Sequence, residues 1–322
     1  MKRWKVVLSL LGAILFIFLS YSIYLYIEIR STFDTIHEPL WITPKATDNG
    51  QQTSVNYSAN SNAPSNEVPI QPQLHNNTPS SPITVLLLGI DNWESTTGRA
   101  DTILLLTLNP NDSTMKILSI PRDTYTEIVG FDFEDKINHS YAFGGVETTL
   151  STVETLMDIP IDYVVTVNME GFIEMVDIVG GVDVYNDMSF SNNSFEYPEG
   201  NLTLSGDEAL SYVRMRKEDP RGDFGRQMRQ RQVLESIFNK VASINLIWQA
   251  PSILKTIREH VQTNLTFDEM IEFQSVYKST LNDIEHLHFS KGEGGLQNGI
   301  WYYFLNDEEL QEMRETLQHS LL

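Results

Sequence analysis

Seven basic side chains lie within eighteen positions of this chain, between residues 214 and 231. The protein has only 22 lysines and arginines and a formal net charge of −21, so this concentration of positive charge is unusual. Neighbouring guanidinium groups repel one another, whereas each forms forked hydrogen bonds with phosphate or carboxylate. A solvated basic helix face is the simpler interpretation of a charge run. Gly222 and Gly225 lie within the run and favour a shaped loop, so we expect a pocket for a phosphorylated ligand.

The spacing of these basic residues indicates how they could converge. Arg214 and Arg216 are two residues apart, and side chains at that spacing on one helix point to different faces. Both reach one ligand only if the helix ends near Val213 and the chain is then extended. Arg226 and Gln230 are four residues apart and share a face of the next predicted helix. The N-terminus of that helix adds partial positive charge and free backbone donors.

Two aspartates lie beside predicted buried strands. Asp91 directly follows the first strand, and Asp101 directly precedes the second. If those strands are antiparallel neighbours, both carboxylates meet at one edge of the sheet and can share a hard cation. Magnesium prefers one or two carboxylates together with phosphate oxygens. The alternative is that both aspartates cap turns, as this residue often does.

Two further arginines, Arg99 and Arg122, flank this acidic pair. Arg122 follows the third predicted strand, in the segment Ser-Ile-Pro-Arg-Asp-Thr. It lies near the same edge if the third strand runs parallel to the first. Ligands of open α/β sheets gather at the carboxyl ends of the strands, which makes this edge the expected site.

The elements that must position these residues follow from apolar runs and turn signals. Strands are predicted over residues 85–88, 102–108, 115–120 and 161–167, with another near 286–290. Helices are predicted over residues 147–157, 172–179, 205–213, 226–241 and 308–321, and capping boxes begin at Ser205 and Thr266. Interleaved strands and helices predict a three-layer α-β-α domain with a mixed central sheet that includes at least one parallel stretch.

The first residues predict a membrane anchor. A basic tail, residues 1–5, precedes an uncharged run, residues 6–27, which as a helix would span roughly 33 Å. A cleaved signal peptide has a shorter apolar stretch that ends in small residues, whereas this run ends in Tyr21, Tyr24 and Tyr26. We expect a single-pass transmembrane helix with a cytoplasmic N-terminus and the remaining chain outside. Residues 28–82 then form a stalk, disordered from about residue 44, and residues 83–322 the extracellular catalytic domain.

Several functional classes are excluded by composition and missing motifs. The acidic balance argues against binding to nucleic acid. Without cysteine there is no disulfide, thiolate metal site or cysteine nucleophile. The sequence has no Walker loop, Gly-x-Ser-x-Gly elbow or His-Glu-x-x-His motif. His139 is interpreted as a structural hydrogen-bonding residue.

The motifs together resemble a known family. They are Leu-Leu-Leu-Gly-Ile-Asp at 86–91, Gly-Arg-Ala-Asp-Thr at 98–102, Ser-Ile-Pro-Arg-Asp-Thr at 119–124, Asp-Lys-Ile-Asn-His at 135–139, Val-Gly-Gly-Val at 179–182 and Leu-Ser-Gly-Asp-Glu-Ala-Leu at 204–210. Tyr-Val-Arg-Met-Arg at 212–216 and Gly-Asp-Phe-Gly-Arg-Gln-Met-Arg-Gln at 222–230 complete the set. In order and spacing, this set is similar to the LytR-CpsA-Psr family from about residue 83 to residue 240. Ala100 departs from the family, which often has serine there.

The resemblance implies a phosphotransferase at the outer face of a Gram-positive membrane. Family members move an anionic glycopolymer, such as wall teichoic acid or capsule, from a polyprenyl-diphosphate carrier to peptidoglycan. The positions matching the family's metal site are Asp91 and Asp101, with magnesium or manganese expected. Asp223 matches a proposed general base. The diphosphate-binding positions are Arg99, Arg122, Arg214, Arg216, Arg226 and Gln230, the first two of them also catalytic.

Two other functions stay open from the sequence. A membrane-anchored regulator could bind the same lipid-linked precursor without catalysis, although the complete acidic and arginine set argues against a pure binder. A pyrophosphatase could hydrolyse the carrier diphosphate, with water in place of a sugar hydroxyl as the nucleophile.

Overall fold

The computed structural model describes residues 20–38, 81–91, 98–243 and 250–322. It divides into two compact units. The first unit contains the chain up to His37 together with Glu170–Met270, and the second contains Glu38–Met169 together with Ile271–Leu322.

Strands and helices alternate along most of the described chain. The strands are β1 (Ile83–Ile90), β2 (Ala100–Asn109), β3 (Thr114–Ser119), β4 (Tyr125–Glu127), β5 (Glu134–Lys136), β6 (Tyr163–Asn168), β7 (Val182–Asn186), β8 (Phe190–Asn192), β9 (Phe195–Tyr197), β10 (Gly200–Leu204), β11 (Val261–Thr263), β12 (Ile284–His288), β13 (Glu293–Gln297) and β14 (Ile300–Phe304). The helices are α1 (20–36), α2 (Ser140–Met157), α3 (Met169–Ile178), α4 (Gly206–Arg214), α5 (Asp223–Ser243), α6 (Ala250–His260), α7 (Phe267–Val276) and α8 (Asp307–His319).

The second unit is built on a mixed sheet. Five of its strands lie in the order β6-β1-β2-β3-β12. β1 pairs antiparallel with β2 and parallel with β6, while β3 pairs antiparallel with β2 and parallel with β12. Strand β2 is buried from Ile103 to Asn109, which is the burial expected of a central strand with both faces covered. This confirms the predicted α/β class with a mixed sheet.

Helices of the second unit flank the sheet. Helix α2 is interrupted where Gly144 and Gly145 leave helical geometry, and it continues to Met157. Arg314 of α8 donates from Nε and an Nη atom to the carbonyl oxygen of Leu156, at 3.0 and 2.7 Å. Ser320, just after α8, donates to Thr107 on β2 at 2.8 Å. The C-terminal helix is therefore fixed both to α2 and to the central strand.

The first unit has its own core around α4 and α5. Its buried members are Val176, Val182, Val184, Phe190, Tyr197, Leu204, Ala209, Tyr212, Val213, Met215 and Val233. The predicted capping box at the start of α4 is confirmed, since Glu208 accepts hydrogen bonds from both the backbone and the hydroxyl of Ser205. Val176 of α3 belongs to this core, and Phe172 packs against it.

Helix α1 packs against other helices of the first unit. Phe33 and Ile36 form a small buried cluster with Phe267 of α7. Arg258 of α6 donates to the Glu28 carboxylate at 3.0 Å and to the Thr32 hydroxyl at 2.9 Å. The C-terminal half of this helix is therefore part of a packed unit.

The predicted membrane anchor lies mainly outside the described residues. Among the residues that the structure does describe, no helix is both long and apolar enough to cross a bilayer. The predicted boundaries at residues 5, 27, 44 and 82 stay predictions, because residues 1–19 and 39–80 are not described.

Candidate functional site

The edge of the sheet where β1 and β3 end gathers four of the predicted site residues. Since β2 is antiparallel to both neighbours, β1 and β3 run in the same direction and end where β2 begins. Asp91 follows β1 directly, Arg99 directly precedes β2, Asp101 is the second residue of β2, and Arg122 follows β3. The two conditions under which these residues were expected at one edge, antiparallel pairing of the first two strands and a third strand that runs in the direction of the first, are both met.

A β-bulge sets Asp101 apart from the regular ladder. Gly89 pairs with Thr102 and Ile90 pairs with Ala100, so Asp101 has no partner residue on β1. A bulge leaves the extra residue unpaired and re-aims its side chain. Gly89 suits this place, because a Cβ there would lie only 3.0 Å from the Thr102 side chain.

Asp101 and Arg122 form an ion pair at this edge. Their Oδ2 and Nη1 atoms are 2.8 Å apart, and each side chain is about a quarter exposed, at 24% and 23%. The other oxygen of Asp101 accepts a hydrogen bond from the Asn138 side chain at 3.1 Å. The backbone of Asn138 also donates to the Arg122 carbonyl oxygen at 3.2 Å. The pair is therefore held in a fixed geometry and remains open to solvent on one side.

A second carboxylate lies on the other side of Arg122. The side chain of Asp123 is only 8% exposed, and its Oδ2 is 3.8 Å from the Arg122 Nε. Its Oδ1 accepts a hydrogen bond from Lys136 at 2.7 Å. The sequence analysis did not identify Asp123, Lys136 or Asn138 as site residues. Their signal was present, because each lies in a motif that carried the family resemblance.

Two hydrogen bonds join Asp91 and Arg99. The amide of Asp91 donates to the Arg99 carbonyl oxygen at 3.1 Å, and the Arg99 amide donates to the Asp91 carboxylate at 2.6 Å. Both residues are exposed. Asp91 therefore caps the Arg99 backbone, in partial agreement with the turn-cap alternative, whereas Asp101 contacts side chains from other segments.

Asp91 and Asp101 are two carboxylates at this edge that could take part in holding a hard divalent cation. Asp91 and Asp101 supply carboxylate oxygens on adjacent strands, and a carboxylate oxygen retains acceptor capacity after one hydrogen bond. In the described part of the chain, no group of three or more histidine, aspartate or glutamate side chains could hold a metal ion. Two carboxylates alone suit magnesium only if water or phosphate oxygens complete its shell.

The first unit carries the arginine-rich segment. Helix α4 ends at Arg214, and Met215 is extended at φ −62° and ψ 131°. Arg214 and Arg216 are exposed on either side of Met215, which is only 3% exposed. The predicted helix end and extended residue are confirmed, and burial of Met215 fixes the positions of the two arginines.

Arg226 and Asp223 form a second ion pair at the beginning of α5. An Nη atom of Arg226 lies 2.9 Å from the Asp223 carboxylate, and the two side chains are 6% and 15% exposed. Gln227 also donates to Asp223, at 3.1 Å. Gln230 lies one turn beyond Arg226 and is half-buried. In this geometry Asp223 orients Arg226, and its role as a general base stays a prediction.

Two arginines of the segment serve the fold. Arg229 is 1% exposed and donates to the Asp219 carboxylate at 2.7 Å, and to the carbonyl oxygens of Tyr212 and Met215 at 3.1 and 2.5 Å. Arg221 contacts the same carboxylate and that of Asp187. The expectation that the charge cluster as a whole serves a phosphorylated ligand is therefore wrong for these two, since both are paired with carboxylates of the same unit.

The electrostatics of Asp219 reflect this pairing. Burial by itself would raise the pKa of Asp219, but hydrogen bonds from Arg221 and Arg229 outweigh burial and lower that pKa to about 2. Gly225 is required beside it, because a Cβ at this position would lie 1.8 Å from the Asp219 carboxylate. Gly222 has φ +60° and begins α5 with a turn that an L side chain would strain. The sequence suggested a shaped loop at these two glycines. In the structure, Gly222 directly precedes α5, and Gly225 lies in the first turn of α5 against the Asp219 carboxylate.

A family model for the LytR_cpsA_psr family matches residues 45–319. The chain belongs to the LytR_cpsA_psr family. The predicted family resemblance is therefore confirmed, and it extends well beyond residue 240.

Individual relatives are similar over nearly their full length. The chain is 41% identical over 324 residues to the polyisoprenyl-teichoic acid–peptidoglycan teichoic acid transferase TagU of Bacillus mycoides, covering all of this chain and 99% of the relative. It is 45% identical to the solved structure of TagU from B. subtilis, with a TM-score of 0.60, over 75% of this chain and 97% of that one. A structure of TagT bound to LIIa-WTA is 33% identical, with a TM-score of 0.66, over 77% of this chain and 94% of that one.

Proposed function

We propose that this protein transfers an anionic glycopolymer, such as wall teichoic acid, from a polyprenyl-diphosphate carrier to a hydroxyl group of peptidoglycan. The observation that carries the proposal is the partly exposed Arg122–Asp101 pair at the carboxyl edge of the sheet. A guanidinium held there is suited to binding phosphate. The relatives named as teichoic acid transferases, about 40% identical over nearly the whole chain, support this reaction.

The proposed reaction is a phosphoryl transfer. The acceptor hydroxyl oxygen forms a bond to the phosphorus that carries the polymer. The bond from that phosphorus to the bridging oxygen breaks, and polyprenyl monophosphate leaves. The hydroxyl proton passes to the carboxylate of Asp223. Such reactions depend mainly on positioning and on stabilisation of developing negative charge, so arginines can supply most of what is required.

Two groups of arginines take part in the proposed reaction. Arg122 and Arg99 bind the diphosphate and stabilise charge on the reacting phosphate. A guanidinium has five N–H donors, so Arg122 can keep its contact with Asp101 and still donate to phosphate. Diphosphate binding in the same reaction also uses Arg214, Arg216, Arg226 and Gln230. Their order along the chain matches the family positions.

We include a magnesium or manganese ion in the proposal, held by Asp91 and Asp101. Such an ion, when bound, would neutralise charge on phosphate oxygens as a Lewis acid. Without it, two carboxylates near a diphosphate would repel the substrate.

The proposal also places the protein at a membrane. Residues 6–27 form an uncharged apolar run long enough for one transmembrane helix. The preceding lysines and arginine favour a cytoplasmic N-terminus. Residues 44–82 are poor in large apolar groups and would act as an extracellular tether. For the catalytic domain that follows, we retain the proposed three-layer α-β-α arrangement.

The test uses the purified full chain with lipid-linked polymer and peptidoglycan oligomers. Replacement Arg122→Ala should lower transfer by about 10²- to 10³-fold, the usual cost of removing one group that stabilises transition-state charge. Arg122→Lys should be intermediate, because lysine keeps the charge and loses the forked geometry. The matched control is Lys116→Ala on β3, since Lys116 pairs with Glu285 away from the site edge. Transfer by Arg122→Ala at the level of that control would refute the role of Arg122.

A further inference from the structure

The hairpin formed by β13 and β14 has an uncharged, apolar tip. Residues 294–306 contain no aspartate, glutamate, lysine or arginine, in a chain whose net charge is −21. Leu296 is 73% exposed, Ile300 49% and Trp301 42%. Single exposed apolar side chains are common, but here three of them surround the end of one hairpin, Leu296 and Trp301 on one face and Ile300 on the other, so the tip as a whole is apolar.

The geometry of this tip is well defined. Asn298 and Gly299 both have positive φ, at 53° and 80°, as a type I′ hairpin turn requires. Leu296 and Trp301 are cross-strand partners on one face. A Cβ at Gly294 would lie 2.6 Å from the indole ring of Trp301, so the ring packs directly on the glycine backbone. The apolar side chains are therefore presented by a rigid support.

The base of the hairpin is joined to the segment that carries Arg122. The Tyr303 amide donates to the carbonyl oxygen of Asp123 at 2.8 Å, and Tyr303 forms a parallel bridge with Thr124. The Tyr302 hydroxyl donates to Asp135 at 3.3 Å. From Tyr303 to Gly299 the strand extends about 13 Å, at roughly 3.3 Å per residue. Whatever binds the tip therefore constrains the position of Arg122.

We propose that this tip inserts into the interface of the membrane's outer leaflet. The tip carries an indole ring with Leu296 on one face and Ile300 on the other, a composition that the water–lipid boundary favours. Glycan chains carry many hydroxyls and charges, and this tip offers few groups to pair with them. Interfacial elements bury about 5–10 Å, which a hairpin of this reach can supply.

The consequence of insertion rests on the proposed function. A carrier diphosphate lies at the boundary between the lipid tails and water. Insertion of the tip would hold Arg122 and Asp101 near that depth. The hairpin would then contribute to recognition of a membrane-borne substrate without contacting the diphosphate.

The insertion can be measured without any enzymatic assay. The chain has no cysteine, so Leu296→Cys creates a unique site for an environment-sensitive fluorophore. The full chain is reconstituted in vesicles of equal parts phosphatidylglycerol and phosphatidylethanolamine that contain nitroxide-labelled lipid. Asn111→Cys is the control, because this exposed residue lies in the β2–β3 turn at the opposite end of those strands.

The lipid nitroxide should quench the probe at position 296 and leave the probe at position 111 unaffected. Equal, weak quenching at both positions would overturn the proposal. Protection of position 296 from an aqueous quencher without quenching by lipid would also overturn it, and would assign the tip to a second copy or another protein.

An activity measurement separates this inference from the proposed function. The double variant Leu296→Asp, Ile300→Asp should lower transfer from a carrier embedded in vesicles by roughly tenfold, since each change replaces an exposed aliphatic side chain that insertion would remove from water. Transfer from a short-chain, water-soluble carrier should be unchanged, which also shows that the variant folds. An equal loss with both carriers would contradict membrane docking. If the parent protein transfers nothing, the proposed function fails, and the quenching experiment still decides insertion.

Discussion

The ion pair between Arg229 and Asp219 provides a quantitative test of how the arginine segment is built. Both side chains are almost fully buried, at 1% and 0% exposed. Asparagine at position 219 keeps the shape of the side chain and removes its charge. The Arg229 guanidinium would then be buried without its carboxylate. Breaking such a pair by removing one partner typically costs about 3–5 kcal/mol.

The lowered pKa of Asp219 gives a second figure for the free energy that this pair contributes to stability. A change from an ordinary aspartate pKa near 3.9 to about 2 corresponds to roughly 2.5 kcal/mol of stability at neutral pH. Because folding lowers this pKa, the contribution is fully present above about pH 4. It is lost as the pH falls towards 2. The two figures agree on an effect of several kcal/mol.

The assay is urea-induced unfolding of the full chain, followed by circular dichroism in one detergent. At pH 7, Asp219→Asn should lower the free energy of unfolding by about 3–5 kcal/mol. The matched control is Asp187→Asn, since Asp187 pairs with Arg221 and is 38% exposed. Exposed pairs contribute only about 0–1 kcal/mol. The difference between parent and Asp219→Asn should narrow as the pH falls from 4 towards 2. A loss at Asp219 no larger than at Asp187 would refute the structural role of this pair.

Two further predictions concern single positions. Gly225→Ala should lower the thermal midpoint of unfolding, because the added Cβ would lie 1.8 Å from the Asp219 carboxylate. Overpacking of this kind costs about 1–3 kcal/mol. An unchanged midpoint would show that the loop carrying Asp219 can relax. Asp101→Asn should remove most of the turnover and most of its dependence on magnesium, measured as transfer with and without chelator. Full-rate transfer by the parent in chelator would show instead that the carboxylates act without a metal.

The central strands and the edge they form could be predicted from the sequence. Residues 85–88, 102–108 and 115–120 were predicted as strands; β1 extends beyond the first of these at both ends, and β2 and β3 occupy nearly the other two positions. Residues 85–88 are a continuous run of apolar side chains and the other two segments are mainly apolar, which is the pattern of buried strands. Glycine and polar turns between the runs then indicated where the strands end. Asp101 and Arg122 were expected at one edge of the sheet if the strands ran in the directions that the structure shows.

The pairing of buried charges could not be predicted in the same way. Asp219 and Arg229 are ten residues apart, and nothing in the sequence separates them from their exposed neighbours. Only the fold buries both, so the sequence did not separate Arg229 from the other basic residues of the run. The β13–β14 hairpin was also missed, because its two glycines and short aromatic run lack the regular alternation of a half-buried strand.

The most direct test of the account follows oxygen during one round of reaction. The full chain is incubated with lipid-linked polymer and peptidoglycan oligomers in water enriched in oxygen-18, and the products are examined by mass spectrometry. Attack by a peptidoglycan hydroxyl predicts polymer joined to peptidoglycan through a phosphodiester, together with polyprenyl monophosphate, and no oxygen-18 in either product. Oxygen-18 in the terminal phosphate of free polymer or in the released polyprenyl phosphate, without attachment to peptidoglycan, would show that the protein hydrolyses the diphosphate and would contradict the proposed transfer.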